Sequence, residues 1–306
     1  MQTLLVFGVN RVVGANVIAT LSDRFQVAGI GRRPVKIQGC PTRCVTHWDA
    51  AQVRSLVQKY APNWIVYAGA LAGSSWDQPP AELEAEPEIA AALVEAARGI
   101  GANLTYISTD AVFCGPRIFH FEDAPRGAVE AGLSPLAQVA AAVEDVLRDT
   151  GALLVRTHVY GWSPRLDEPE FAESVCQALE DGLQITLDHH RHASPILATD
   201  LAELLYQAWQ AKLQGAIHLA GAERTSPARF AAELANVLGI AWQANAMAVA
   251  PADQVRSESA LVARRARQEL GTAMPMLTEG LERFVAQASN GYRDRFITAE
   301  EMANAA

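Results

Sequence analysis

Glycine, arginine and glycine at three-residue spacing open the chain. VFGVNRVVGANV, residues 6–17, sets Gly8, Arg11 and Gly14 between an apolar strand pattern and an apolar helical one. That is the outline of a dinucleotide-binding turn. In such a turn the first glycine allows a tight bend, the second lets backbone approach a pyrophosphate, and the third lets helix pack on strand. Gly8 and Gly14 keep the outer roles. Arg11 fills the middle one, and two readings stand: its guanidinium turns outward to pair with phosphate, or the loop no longer admits a dinucleotide and Arg11 is solvated. After the next strand pattern the chain reads GIGRRP, 29–34. An acid here reads a ribose 2′-hydroxyl, whereas arginine accommodates a 2′-phosphate. Arg32 and Arg33, with no acid beside them, favour NADP over NAD, or else form a solvated turn.

Hydroxyl and imidazole groups make a second set. YISTDAVFCG, 106–115, ends a strand pattern on Ser108 and Thr109, the strand end where open α/β sheets place their ligands. Asp110, Cys114, His120 and His158 are further groups able to reach such a cleft, and imidazole is an acid near neutral pH. Their spacing does not make them a set, and structural or solvated roles are the alternative. DHHRH, 188–192, holds metal-ligand residue types, but they are adjacent and lack a helical His-x3-His, so no metal is assigned. His218 in AIHLAG reads as a hydrogen-bonded core histidine.

The elements that must position these groups alternate. Strand patterns at 4–8, 25–31, 64–69 and 103–108 are followed by helical ones, at 15–21, 49–60 (with Asp49 as N-cap), within 81–98, and at 135–149, and a fifth strand pattern stands at 152–157. Short apolar strands alternating with helices predict βαβ units and a parallel sheet covered on both faces, a doubly wound Rossmann-like α/β fold. The second half is less regular. It shows strands at 185–188 and 216–221, helices at 201–209, 227–238 and 277–286, and Pro-rich polar loops around 163–170 and 250–258. The expected division is a dinucleotide-binding core over 1–160, a smaller substrate-binding α/β region over 161–288 interleaved with it, and a polar tail from 289, frayed or lid-like.

Bulk properties narrow the class. Of 306 residues, 50% are hydrophobic and 19% charged, with net charge −9, which opposes nucleic-acid binding. No apolar run reaches the ~18–20 residues of a membrane span, and MQTLLVFG reads as a buried strand rather than a signal peptide. Four cysteines, with Cys40 and Cys44 close together but no further ligands, read as free thiols of a cytoplasmic protein.

Several stretches in register resemble the extended short-chain dehydrogenase/reductases, and more narrowly their dTDP-4-dehydrorhamnose reductase branch. YISTDAVFCG is similar to a strand ending STDYVF-x-G, VFGVNRVVG to the first loop, and LLVRTHVYG (153–161) to R-T…V-Y-G. LDHHRHASPILATDLAELL (187–205) resembles D-Q-x-G-S-P-T…D-L-A, and the 215–239 stretch resembles G-x-x-H-L-x-G…S-x-x-x-F-A. The likeness covers roughly 1–288. It implies reduction of a 4-keto group on a dTDP-linked deoxysugar with NADPH or NADH. A tyrosine would be the acid, a lysine four residues later would lower its pKa, a Ser or Thr would polarise the carbonyl, and an asparagine would support a proton relay. The resemblance also places Arg191 near the substrate's diphosphate.

The departures matter as much. The Tyr-x3-Lys belongs on the helix opening at Pro135, SPLAQVAAAVEDVL. Aligned on Glu144, Leu136 and Ala140 take the catalytic places; aligned on Pro135-Leu136, Val139 and Val143 do. No tyrosine in the chain is followed by lysine four residues on, and no asparagine lies within 74–102. Of the tetrad Ser108 and Thr109 survive, Ala111 stands for the tyrosine of STDYVF, and Tyr160 is the best-placed tyrosine left. Leu136, Val139, Ala140 and Val143 form an i, i+3, i+4, i+7 apolar stripe, either core packing or the face of a homodimer or protein partner through the 135–149 helix.

Three functional readings follow. The first is a non-catalytic, regulatory homologue that keeps a nucleotide or sugar-nucleotide site. The second is an enzyme repurposed within the same cleft through Asp110, His158 or Tyr160. The third is an NADP-dependent reductase whose acid is Tyr160 or the substrate itself.

Overall fold

A computed structural model describes residues 1–77, 83–113, 117–126, 134–165, 167–242, 245–246 and 258–297. Its centre is a seven-stranded parallel sheet: β1 (Thr3–Phe7), β2 (Gln26–Gly31), β3 (Thr42–Cys44), β4 (Trp64–Tyr67), β5 (Asn103–Thr109), β6 (Leu153–Thr157) and β7 (Gly215–His218). The strands lie in the order β3-β2-β1-β4-β5-β6-β7. The order reverses at β1, which creates a crevice beyond the carboxyl ends of β1 and β4, where ligands of such sheets sit. This is the doubly wound α/β fold expected from the alternating pattern.

Strand periodicity sorts the core into two layers. Leu4 and Val6 of β1, with Trp64 and Val66 of β4, face one side; Leu5, Phe7, Ile65 and Tyr67 face the other. Helices α1 (Val12–Leu21) and α6 (Ala198–Gln210) cover the first side. Helices α2 (Ala50–Tyr60), α3 (Glu86–Ile100) and α4 (Pro135–Leu147) cover the second. Asp49 caps α2 by accepting from the Gln52 N–H, as its position suggests. The first layer extends into α5 (Phe171–Glu180), α7 (Pro227–Leu238), α8 (Arg264–Leu270) and α9 (Leu277–Ser289), so that β7 and α6 from the second half complete the main sheet and its cover.

The chain past Ser289 is not frayed through residue 297. Tyr292 donates to Asn16 Oδ1 (2.9 Å), Arg295 donates to the Ala19 carbonyl (2.7 Å), and Phe296–Ile297 pairs antiparallel with Lys36–Ile37. A polar composition concealed one buried aromatic, Phe296, which ties this segment to α1 and the strands beside it. The apolar stripe of α4 is likewise closed from within. Leu136, Ala140 and Val143 are buried and Val139 packs beside them, so the stripe is not an open partner face. Among the described residues no helix is long and apolar enough to cross a membrane.

Candidate functional site

The β1–α1 turn is built as its glycines require. Gly8 has φ +86°, and a Cβ there would stand 1.8 Å from the Ala68 carbonyl oxygen. A Cβ on Gly14 would stand 2.4 Å from the Gly8 carbonyl oxygen, so α1 sits directly on the turn. Arg11 is the N-cap of α1 with φ −125° and ψ 162°, a backbone any residue adopts. Arginine therefore replaces the middle glycine without backbone strain, and its side chain lines the cleft rather than filling the turn.

That cleft has a volume of about 700 Å³ and opens at the carboxyl ends of β1, β2 and β4. Gly8, Arg11, Arg32 and Arg33 line it, with Trp48 and Trp76 as aromatic walls. The Arg32 guanidinium lies 5.1 Å from the Trp48 ring, and the Arg32 N–H donates to Asn10 Oδ1 (2.8 Å). Arg33 forms an ion pair with Glu168. Gly14 stays behind the wall, holding helix to strand. A glycine cradle, a helix N-terminus and four arginines, Arg165 with the three above, suit an anionic ligand. Leu136 of α4 also lines the cleft.

The hydroxyls of β5 point elsewhere. Ser108 and Arg156 are register partners on β5 and β6, and both bind the buried Glu144 carboxylate. Ser108 Oγ donates to it at 3.2 Å, and Arg156 Nε and Nη2 at 2.9 and 2.8 Å. Thr109 Oγ1 accepts from the Ala111 N–H (3.1 Å), capping the short turn Asp110–Val112. Tyr160 is buried among Phe230 and Phe284 (ring centroids 5.0 and 6.1 Å), and burial drives its phenol pKa far above 10. None of these three lines the main cleft. Arg191 donates to Asp188 Oδ2 (2.6 Å) within its own turn, also away from that cleft. His120 stacks on Phe113 (4.6 Å), with its pKa lowered by burial. His218, pushed down to about 3 by burial and then by Arg156, is neutral and accepts from Arg156 Nη1 (3.2 Å). Cys114 lies outside the described residues, among which no cluster of three or more His, Cys, Asp or Glu could hold a metal.

One constellation escaped the sequence because its members span positions 75 to 259. Buried Asp110 accepts from Ser75 Oγ and Ser259 Oγ (2.6 Å each) and from the Ser75 N–H (2.9 Å), and its Oδ2 lies 2.9 Å from His158 Nδ1. Burial opposes the carboxylate, but His158 and the hydroxyls outweigh it and hold its pKa below the ordinary 3.8. Trp76, 4.4 Å from the His158 ring, screens the network from the main cleft. A depressed pKa contributes stability above the unfolded value that is lost as pH falls through the folded one. Asp110→Asn is therefore expected to lower stability at pH 7 by about 2 kcal/mol, with the gap to wild type closing below about pH 4, read from urea midpoints across pH 3–7.

Comparison with known proteins gives the context. Residues 1–290 match the family described as the RmlD substrate binding domain. The chain belongs to that family. Methionine adenosyltransferase 2 subunit beta of Xenopus laevis is 27% identical over 64% of this chain, which spans only 61% of that relative's length. dTDP-4-dehydrorhamnose reductase of Streptomyces griseus is 30% identical over 55% of each chain. The solved dTDP-4-dehydrorhamnose reductase of Bacillus anthracis in complex with NADP shares the RmlD fold, with TM-score 0.76 at 20% identity over 94% of this chain and 99% of that one.

Proposed function

We propose that this protein is a nucleotide-binding member of the RmlD family that does not reduce a keto-sugar by the tyrosine–lysine route and instead acts as a binding or regulatory subunit. One observation carries the reading: in either register of the family resemblance, Leu136 with Ala140 or Val139 with Val143, the α4 positions for the acid and the lysine hold apolar residues, and Leu136 stands in the cleft wall. Among the described residues lining the cleft there is no tyrosine, lysine or histidine. Hydride delivered to a carbonyl leaves an alkoxide that must be protonated as it forms, and this wall offers no tyrosine–lysine pair to do so.

The cleft nevertheless suits NADP(H). Gly8 admits close backbone approach, the α1 N-terminus and Arg11 suit the pyrophosphate, and Arg32 and Arg33 suit the 2′-phosphate. When bound, the nicotinamide would supply hydride chemistry. A sugar nucleotide is the alternative occupant, with 161–288 as the substrate side. The Bacillus anthracis relative in complex with NADP supports the cofactor, and the Xenopus relative, named as a subunit of a transferase, supports a subunit role. Three described cysteines without disulfides, Cys40, Cys44 and Cys176, fit a cytoplasmic setting. The repurposed-enzyme reading loses ground because Asp110, His158 and Tyr160 do not line the main cleft. A reductase using Tyr160 would need a donor whose burial instead locks its proton on.

Titration with NADPH, followed by nucleotide fluorescence, is expected to saturate in the micromolar range. A hundredfold excess over Kd should stabilise the fold by about 2.7 kcal/mol. NADPH with a dTDP-4-keto-6-deoxysugar should show no oxidation above background at 340 nm. Turnover at about 1 s⁻¹ or faster would overturn the non-reductive reading.

A further inference from the structure

The stretches 163–165 and 167–170 line the cleft through Ser163, Arg165, Glu168, Pro169 and Glu170. One buried carboxylate pins both ends: Glu173 Oε2 accepts from the Ser163 N–H (2.9 Å) and from the Glu170 N–H (3.3 Å). Between them the Glu168 N–H donates to the Arg165 carbonyl (3.1 Å), closing a turn. Glu168 then meets Arg33, while Glu170, the N-cap of α5, lines the cleft with Arg11. These cationic positions are those a dinucleotide's phosphates require: Arg33 for a 2′-phosphate, and the α1 N-terminus with Arg11 for a pyrophosphate.

We propose that 163–165 with 167–170 is a self-occupying strap whose Glu168 and Glu170 carboxylates hold the phosphate positions of the cleft, so that a dinucleotide enters only by displacing them. The proposal rests on the dinucleotide reading given above. The two contacts differ in kind. Arg33 and Glu168 are both about half exposed, so their ion pair is weak and easily exchanged for a phosphate. Glu170 is half-buried and faces Asp77 from the loop before α3, Arg11 from the α1 cap, and Glu173 from its own helix, with Arg165 and Glu168 beside it on the strap. Burial, with Asp77 and Glu173 adding and Arg11 and the Val12 amide opposing, pushes its carboxyl up to about 7.

The strap is thus strongest above neutral pH. A protonated Glu170 sets no charge against an incoming pyrophosphate, whereas the ionised form repels it. NADH is the cleaner probe of this contact because it lacks a titrating 2′-phosphate. Its affinity is expected to fall as pH rises from 6 to 8.

The test is fluorescence titration of the full chain with NADPH and with NADH, at pH 6 and pH 8, for wild type, Glu168→Gln and Glu170→Gln, with a thermal melt of each variant. Glu168→Gln should tighten NADPH by up to about fivefold and leave NADH unchanged. Glu170→Gln should tighten both nucleotides at pH 8 by up to about tenfold and flatten the pH dependence of NADH. Binding by wild type with unchanged or weaker binding by both folded variants overturns the strap and leaves the dinucleotide reading standing. No binding by any of the three at millimolar nucleotide overturns that reading, and the strap with it.

Discussion

Glu144→Ala is expected to lower the melting temperature by about 10 °C, through the loss of about 3–5 kcal/mol. Glu144 receives two hydrogen bonds from Arg156, one from Ser108 and one from Arg126 at 3.3 Å, and both Glu144 and Arg156 are almost wholly buried. Truncating the acid leaves a guanidinium in the interior with the Glu122 carbonyl (2.9 Å) and neutral His218 as its remaining partners. The cost is that of an uncompensated buried charge, not of one lost contact. The double replacement Glu144→Leu with Arg156→Met removes both charges and should recover most of the loss. Calorimetry on the two proteins separates these outcomes. If the alanine variant loses less than about 1 kcal/mol, water reaches Arg156 and the network is less sealed than its geometry indicates.

The same network shows what sequence reading captures. Glu144 was visible only as one polar residue in an apolar helix, and its burial against Arg156 was not. Ser108 was legible as a strand-end hydroxyl, but which carboxylate it meets is set by α4 packing on β5 and is not written in local spacing. The sheet was readable because β1 and β4 are short continuous apolar runs buried on both faces, and α7 because Ser226, Pro227 and Gly239 punctuate it. Strand Thr42–Cys44 was not readable: three residues at an edge, one half-buried and two exposed, leave no periodic signal. Helix Phe171–Glu180 was hidden behind the Pro-rich run before it, although Glu170 and Glu173 form a capping box at its start. In the cleft, the glycines and arginines announced themselves. The carboxylates of 163–170 did not, since composition marks a polar loop but not the cations it meets. The Asp110 network joins residues up to 184 positions apart, from Ser75 to Ser259, and no window of sequence holds it.

Gly8→Ala should be the most damaging single methyl group in the chain. Its Cβ would lie 1.8 Å from the Ala68 carbonyl oxygen, which belongs to backbone at the end of β4 and has no rotamer with which to yield. The φ of +86° adds strain that L side chains rarely tolerate. Together these should cost about 4 kcal/mol or more, and the variant should be recovered unfolded or melt far below wild type. Arg11→Gly is the matched control, three residues away in the same turn. Its extended backbone accepts either residue, and glycine at an N-cap costs only a few tenths of a kcal/mol. Its melting temperature should therefore stay within about 2 °C of wild type. Nucleotide titration of that folded variant then asks what the arginine does. Weaker binding of both NADPH and NADH would place the Arg11 guanidinium on the pyrophosphate they share. Unchanged binding would mean that Gly8 and the α1 amides hold the phosphates without it. A Gly8→Ala protein that melts like wild type would show that the turn can open away from β4, and the cradle would then be too loose to select a dinucleotide by close backbone approach.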